Sequence, residues 1–350
     1  MPLPNQLAKA LAAARSHEWW GYKLPPLLAI GYATALKNGA SLLQVGPWLL
    51  LSLAAVAIGA VYVSLINDIT DIEEDRACGK HNRMAGVAPG LRWIFPVLCL
   101  LAGAAFIFFL LLPDTLSALL YTLPWISFSL YSLPPFRFKT RGFWGVMADA
   151  GGSHLFISLF MVARISQVAG RPVDWLWFGA VGAWALLHGL RGILWHQFHD
   201  RNHDLQSGTR TFACRIDPAA FRKPSLLLMA LEAVALVLLL YCIDLPLPEV
   251  FLLAYIVLAL VRQKKMRQTV VALLSPASGP YQIFLLEYYS LFLPLALLAS
   301  AVVVHTTDWR VGALHLLLFP QQALLVLRDL AQLAKRSGHR LLSLAKARPH

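Results

Sequence analysis

Long apolar runs, separated by short polar and mostly basic segments, set the pattern of this chain. The runs fall at residues 24–36, 48–66, 93–112, 116–133, 143–162, 175–195, 225–243, 250–261 and 284–304. Most approach the roughly 20 residues that a helix needs to cross a bilayer, and flanking residues would complete the shorter ones. Backbone polar groups in lipid must pair within their own segment, so such runs are helices. The pattern predicts an all-α polytopic membrane protein of about nine transmembrane helices. A weaker pattern follows them. Residues 311–319 are apolar but short, and Pro320 interrupts them. Residues 321–336 then set leucines at 324, 325, 327, 330 and 333 against Arg328, Asp329, Lys335 and Arg336. This stretch either lies along the bilayer surface or belongs to a tenth crossing over 311–327. The chain thus divides into an N-terminal segment (1–23), a transmembrane body (24–304) and a tail (305–350). No soluble domain, low-complexity linker or simple repeat interrupts it.

Charge orients the helices. With residues 1–23 in the cytoplasm, the loops on that side carry nineteen Lys and Arg before the tail, against four (Lys37, Arg164, Arg171 and Arg310) on the other side. This is the bias that the positive-inside rule describes. It also accounts for the net charge of +12 without nucleic acid as a partner. The six basic residues beyond Arg310 break the rule if there are nine crossings, and keep it if there are ten. Charged residues make up only 14% of the chain, against about 25% in soluble domains, which fits a surface that mostly faces lipid. Trp19, Trp20 and Tyr22 suit an interfacial belt before the first span. Four scattered cysteines imply neither a disulfide framework nor a zinc site. The first 24 residues lack a continuous apolar core, so no cleavable signal peptide is expected. The expected location is the cell (inner) membrane.

Three loops on the basic side hold the candidate chemistry. The first, residues 67–83, follows the second span and places five acids within eight residues, from Asp68 to Asp75. If the helix continues, Asp68, Asp71 and Asp75 at i, i+3 and i+7 share one face. Carboxylates stacked there repel one another unless a cation lies between them. Mg2+ takes oxygen ligands and commonly joins one or two carboxylates to a phosphate. The stretch therefore reads as a metal and diphosphate holder. The second loop, residues 131–142, alternates Arg137, Lys139 and Arg141 with Phe136, Phe138 and Thr140 after Pro134-Pro135. An extended strand would send the three cations the same way. By itself this is ordinary positive-inside charge. The third, residues 196–211, places Asp200 and Asp204 one helical turn apart, followed by Gly208-Thr209-Arg210-Thr211, whose hydroxyls and guanidinium suit phosphate oxygens. Each loop is ordinary alone; two acidic helix ends beside cationic loops on one side point to a metal–diphosphate site.

The order N-D-x-x-D-x-x-x-D (Asn67, Asp68, Asp71, Asp75), Y-S-x-P-P-x-R-x-K-x-R-G (131–142) and D-x-x-x-D (Asp200, Asp204) resembles the UbiA superfamily of intramembrane prenyltransferases. The second motif is most similar to the chlorophyll-synthase-like and homogentisate-type branches. The resemblance spans roughly residues 20–304 and leaves out the tail. It implies nine helices around a central cavity with a cytoplasmic cap. It also implies Mg2+-dependent transfer of a prenyl group from a prenyl diphosphate to an aromatic or other lipophilic acceptor, releasing diphosphate. Carried onto this chain, Asn67, Asp68, Asp71 and Asp75 would hold one metal, and Asp200 and Asp204 a second. Lys139, Arg137 and Arg141 would contact the diphosphate, with Lys80 beside them. Arg210 stands where the family often has Lys, and His199 where it often has Tyr. Rival readings keep the fold with a phosphoribose or porphyrin-type acceptor, or make the chain a transporter, although inverted repeats of the transporter kind are not visible.

Other residues invite a functional reading. His196, His199 and His203 hint at a diiron-type histidine box, but the remaining histidines form no second cluster, so a place at the cavity mouth fits better, with His199 or His203 as the expected acceptor of the proton lost on aromatic substitution. Arg191, inside the sixth span between Gly189 and Gly192, is a candidate diphosphate ligand or a snorkelling side chain. Asp149 and His154 flank Gly151-Gly152 in the fifth span, where Asp149 either faces the cavity or packs between helices. Trp144, Trp175, Trp177 and Trp195 read as interfacial anchors.

Overall fold

A computed structural model describes residues 15–276 and 278–346; the greater part of the N-terminal segment, 1–14, lies outside the described residues. Each expected span finds a helix: α1 (Ser16–Lys37), α2 (Leu42–Thr70), α3 (Pro89–Leu111), α4 (Thr115–Ser132), α5 (Phe143–Val168), α6 (Trp175–His199), α7 (Arg222–Ile243), α8 (Pro246–Met266) and α9 (Tyr288–Val304). Among the described residues, α2, α3, α5, α7 and α8 are long and apolar enough by themselves to cross a membrane. The others are shorter or carry more polar residues, and the reason becomes plain at the cavity they line.

Burial separates core helices from lipid-facing ones. In α3 the outward residues Leu101, Phe108 and Phe109 are 62%, 66% and 75% exposed. Phe160 of α5, Trp177 and Trp184 of α6 and Tyr288 of α9 are fully buried. Trp177 is therefore a core residue and not the interfacial anchor expected of it; its Nε1 donates to Thr34 Oγ1 of α1 at 3.0 Å. Helix α1 packs against α2, α5 and α9, and α6 against α5 and α7. Small residues allow close approach. A Cβ on Gly145 would meet the carbonyl oxygen of Phe138 at 2.5 Å, and one on Gly189 that of Ala150 at 3.0 Å. These contacts press the second cationic loop onto α5, and α5 onto α6.

The tail resolves into two helices, α10 (Trp309–Leu318) and α11 (Pro320–Lys346). The segments Thr306–Leu318 and Pro320–Lys335 meet at 80°. Proline cannot continue the preceding helix, so the chain turns there, and the tail makes no straight tenth crossing. It is bolted to the body at both sides. Trp20 Nε1 donates to the Leu318 carbonyl at 2.9 Å, and Tyr32 Oη lies 3.1 Å from His315 Nδ1, both tying it to α1. Asp329 meets Arg262 of α8 at 2.8 Å, and Val326 packs with Leu291 of α9. A two-stranded parallel ladder, Thr269–Val271 with Tyr281–Ile283, closes the loop between α8 and α9.

Candidate active site

The helices surround a cavity of about 1020 Å³, at the upper end of the roughly 300–1,000 Å³ of small-molecule sites. Its wall includes residues of α1, α2, α4, α5, α6, α8 and α9. The acidic loops sit at one part of it, each across a helix break. Helix α2 ends at Thr70, Asp71 leaves the helical region (φ −104°, ψ 6°), and a short helix, Ile72–Ala77, resumes. Helix α6 ends at His199, Asp200 does the same (φ −87°, ψ 1°), and Arg201–Ser207 follows. The i→i+4 hydrogen bonds survive both breaks: Asp71 N to the Asn67 carbonyl at 3.0 Å and Asp75 N to Asp71 at 2.8 Å; Asp200 N to His196 at 2.9 Å and Asp204 N to Asp200 at 3.0 Å. Acids one turn apart therefore still stack. The two short helices meet, with Cys78 Sγ 3.8 Å from the His203 carbonyl.

Asn67, Asp71, Asp75, Asp200 and Asp204 all line the cavity, together with Lys80 and Lys139. Asp68 does not share their face. It is 5% exposed and turned away, held by Arg15 at 3.4 Å and Arg83 at 3.6 Å. The expectation of one face for Asp68, Asp71 and Asp75 is corrected by the break at Asp71. Asn67 is oriented by the Ser132 hydroxyl of α4. Asn82 ties down the loop: its Nδ2 donates to the Asp68 carbonyl at 2.7 Å and to Asp75 Oδ2 at 2.8 Å, while its Oδ1 accepts from Met84 N and Ala85 N. Asp204 accepts from Thr211 Oγ1 at 2.9 Å. Burial pushes its carboxyl above the usual range; the Thr211 hydrogen bond opposes that shift, and the charge of Asp200 adds to it.

The second cationic loop is not extended. Phe138–Thr140 form a 3-10 turn, and Arg137 takes a left-handed conformation (φ 40°). The three cations consequently do not point the same way: Lys139 and Arg137 reach Asp71 and Glu74 from different sides, and Arg141 turns away. Lys139 points inward, 6% exposed, and binds Asp71 and, at 3.1 Å, Glu74. Arg137 reaches Glu74 at 2.9 Å and Asp71 at 3.4 Å from the side, off the cavity wall. Arg141 turns outward and donates to the Pro135 carbonyl at 2.8 Å. Arg210 is exposed and also off the wall. Arg191 lies against the cavity, but four of its five N–H donors are spent. The guanidinium binds both oxygens of Glu232 on α7 and the carbonyls of Ala272, at 3.1 Å, and Phe284, at 2.7 Å. Both readings of Arg191 are therefore corrected: it clamps α6 to α7 and to the α8–α9 connection, and neither reaches for a diphosphate nor snorkels.

His196, His199 and His203 all line the cavity, and no group of three His, Cys, Asp or Glu placed as a metal cage occurs among the described residues. Sequence reasoning passed over Glu74, Asn82, Glu232 and Gln322. Glu74 stood within the acidic run but outside its spacing. Glu232 is a lone acid in an apolar span, which is the signal that could have paired it with Arg191.

A family model for the UbiA prenyltransferase family matches residues 24–272. The chain belongs to the UbiA prenyltransferase family. A UbiA-family chain is a prenyltransferase, which sets the transporter reading aside. Solved structures of a UbiA homolog from Archaeoglobus fulgidus share the fold. One is 17% identical over 85% of this chain and 99% of that one, with a TM-score of 0.56. The same homolog bound to GPP and Mg2+ is 15% identical over 85% and 99%, with a TM-score of 0.54; bound to DMAPP and Mg2+ it is 15% identical over 85% and 98%, with a TM-score of 0.54. No curated protein matches the chain.

Proposed function

We propose that this UbiA-family enzyme transfers the prenyl group of a prenyl diphosphate to a lipophilic, aromatic-type acceptor inside the membrane, with Mg2+, at the cytoplasmic face of the cell membrane. The observation that carries this reading is the convergence of Asp71 and Asp75 with Asp200 and Asp204 on one cavity, from two helix ends packed together at Cys78 and His203. The solved homologs bound to DMAPP or GPP with Mg2+ support the substrate class, and the basic loops support the side.

The residues fit Mg2+. The donors are all oxygens, with two carboxylates at each helix end, and Mg2+ is usually bound by one or two carboxylates with the rest of its shell from phosphate and water rather than by an all-protein cage. Asn67, Asp71 and Asp75 would hold one ion, Asp200 and Asp204 another. Bound Mg2+ supplies Lewis-acid stabilisation of a leaving diphosphate. Asp68 anchors the loop from beneath, through Arg15 and Arg83.

The chain's own residues do the remainder. Lys139, buried, and Lys80, exposed at the rim, place positive charge where the leaving group gains negative charge. On the opposite helix end Thr211 spends its hydroxyl on holding Asp204, and Thr209, 2.9 Å from Ser207, is the threonine left to face a phosphate oxygen. Farther in, Tyr121, Trp125, Phe128 and Ile157 give the apolar walls that an isoprenoid tail requires and that keep water from an allylic cation. The test uses membranes containing the protein, radiolabelled geranyl diphosphate, Mg2+ and a panel of quinone precursors, chlorophyllides and phenolic acids. Transfer to an acceptor with release of diphosphate is the expected result, abolished by Asp71→Asn and by Asp200→Asn with folded protein retained. Undiminished turnover in both variants refutes the site.

A further inference from the structure

Asp149 is the acid that the diphosphate site does not use. It lies on α5 six residues past Phe143, about 9 Å along the helix at 1.5 Å per residue, and it lines the cavity. Its hydrogen-bond partner is Ser153 Oγ, at 3.2 Å. No salt bridge reaches it among the described residues, whereas Asp68, Asp71, Glu74, Glu232 and Glu287 all have one. A carboxylate within a membrane-embedded cavity without a cationic partner is costly to keep, and such residues are retained for function. The local backbone is specialised too. A π-turn, Gly151–Leu155, begins two residues after Asp149, an irregularity that often marks functional positions.

Its position is informative. Gly145, one turn before it on α5, packs so closely on the loop that carries Lys139 that a Cβ there would meet the carbonyl oxygen of Phe138 at 2.5 Å and Lys139 Cα at 3.0 Å. Asp149 therefore shares the cavity of Lys139 and the diphosphate-facing acids but stands one turn farther along α5 than the Lys139 contact, on the side where the allylic carbon would lie with the diphosphate held at Lys139. A negative charge there favours the developing cation, and a carboxylate there is placed to collect a proton. His154, also on the cavity wall, is packed ring to ring with His188 at 4.8 Å, and His188 is engaged by Glu232 at 3.3 Å.

We infer that Asp149 is the base that takes the proton displaced from the acceptor; this rests on the prenyl-transfer reading. As the allylic C–O bond breaks, its electron pair leaves with the diphosphate. A pair from the acceptor ring forms the new bond to the allylic carbon. The C–H bond at the substituted ring position then returns its pair to the ring, and its proton goes to a carboxylate oxygen of Asp149, which gives it up to solvent before the next turnover. The acceptor class is a ring carrying an electron-donating oxygen, nucleophilic enough to attack while still protonated at carbon.

The experiment compares wild type, Asp149→Asn and Asp149→Glu in detergent. It uses geranyl diphosphate and a phenolic acceptor that the wild type prenylates, unlabelled and deuterated at the reacting ring position. Loss of a positioned base costs about 10²–10⁴-fold in rate, so Asp149→Asn is expected to lose at least 100-fold in kcat. Its KM for geranyl diphosphate should stay within twofold, and it should gain a primary hydrogen isotope effect that the wild type lacks, because ring deprotonation becomes the slow step. Asp149→Glu should recover at least tenfold of the loss. Full activity in Asp149→Asn, a loss expressed in KM for geranyl diphosphate, or a loss of kcat without an isotope effect overturns the assignment. A wild type that prenylates no acceptor and releases no diphosphate refutes the prenyl-transfer reading itself, a different result from any of these.

Discussion

Replacing Lys139 by Met tests whether the inward-facing ammonium is part of the leaving-group cradle or only a brace. The side chain is nearly buried and binds Asp71 and Glu74 together. Removing one partner of a fully buried pair costs about 3–5 kcal/mol. Here Asp71 and Glu74 are about a quarter exposed, and Arg137 stays within 3.4 Å of Asp71 and 2.9 Å of Glu74, so a stability loss of only about 1–2 kcal/mol is expected after solvent screening. Loss of one preorganised electrostatic stabiliser costs about 2.7–4 kcal/mol in the transition state, or roughly 10²–10³ in kcat. The two effects separate by assay: thermal unfolding in detergent reads the first, and single-turnover transfer from labelled geranyl diphosphate reads the second. Magnesium titration adds a third reading. Lys139 competes with a metal ion for Asp71, so Lys139→Met should need no more Mg2+ than wild type, whereas Asp71→Asn should need more. Turnover within fivefold of wild type refutes the cradle, and a large rise in the Mg2+ requirement of Lys139→Met refutes the competition.

Chelation with EDTA should abolish diphosphate release and Mg2+ should restore it, and Asp204→Asn should lower kcat by about 10²-fold or more at saturating Mg2+, as read by labelled diphosphate. Glu232→Gln leaves Arg191 charged and buried without its partner and should cost about 3–5 kcal/mol, seen as a lower unfolding temperature, while Arg191→Met combined with Glu232→Leu should recover much of that loss. Acidification should raise the Mg2+ concentration needed for half-maximal activity. Asp204 is protonated at higher pH than an ordinary aspartate, and only its carboxylate binds metal. The sign for stability is opposite: with its pKa raised on folding, Asp204 opposes the fold above that pKa, and this penalty fades as pH falls through it. A Mg2+ requirement independent of pH refutes this assignment.

Much of this fold was legible because lipid imposes a single rule on the backbone. Apolar runs and basic loops located all nine helices of the body, and the spacing of Asp71 with Asp75 and of Asp200 with Asp204 survived as stacked turns. What failed did so for local reasons. The break at Asp71 rotated Asp68 out of the cavity, and the turn at Arg137 put that side chain beside the cavity wall and Arg141 outside it, leaving Lys139 alone of the three facing inward. Periodicity gives no notice of a single residue leaving a helix. The Arg191–Glu232 pair was out of reach for another reason, since 41 positions separate its members and pairing across helices leaves no trace in either run. The tail divided at Pro320 as its pattern allowed, but its attachments to α1 and α8 rest on contacts between residues far apart in the chain.

The elbow at Phe319 and Pro320 carries a practical consequence. Gln322, just past it, forms part of the cavity wall, so the reaction chamber is not sealed by the matched family region alone. A protein trimmed after Val304 would lack its plug beside Gly21 and Leu291, and detergent or lipid chains would fill the breach. Shortened versions made for crystallisation should therefore keep residues through Asp329, the far rivet of that patch, or they will report the behaviour of a leaking vessel.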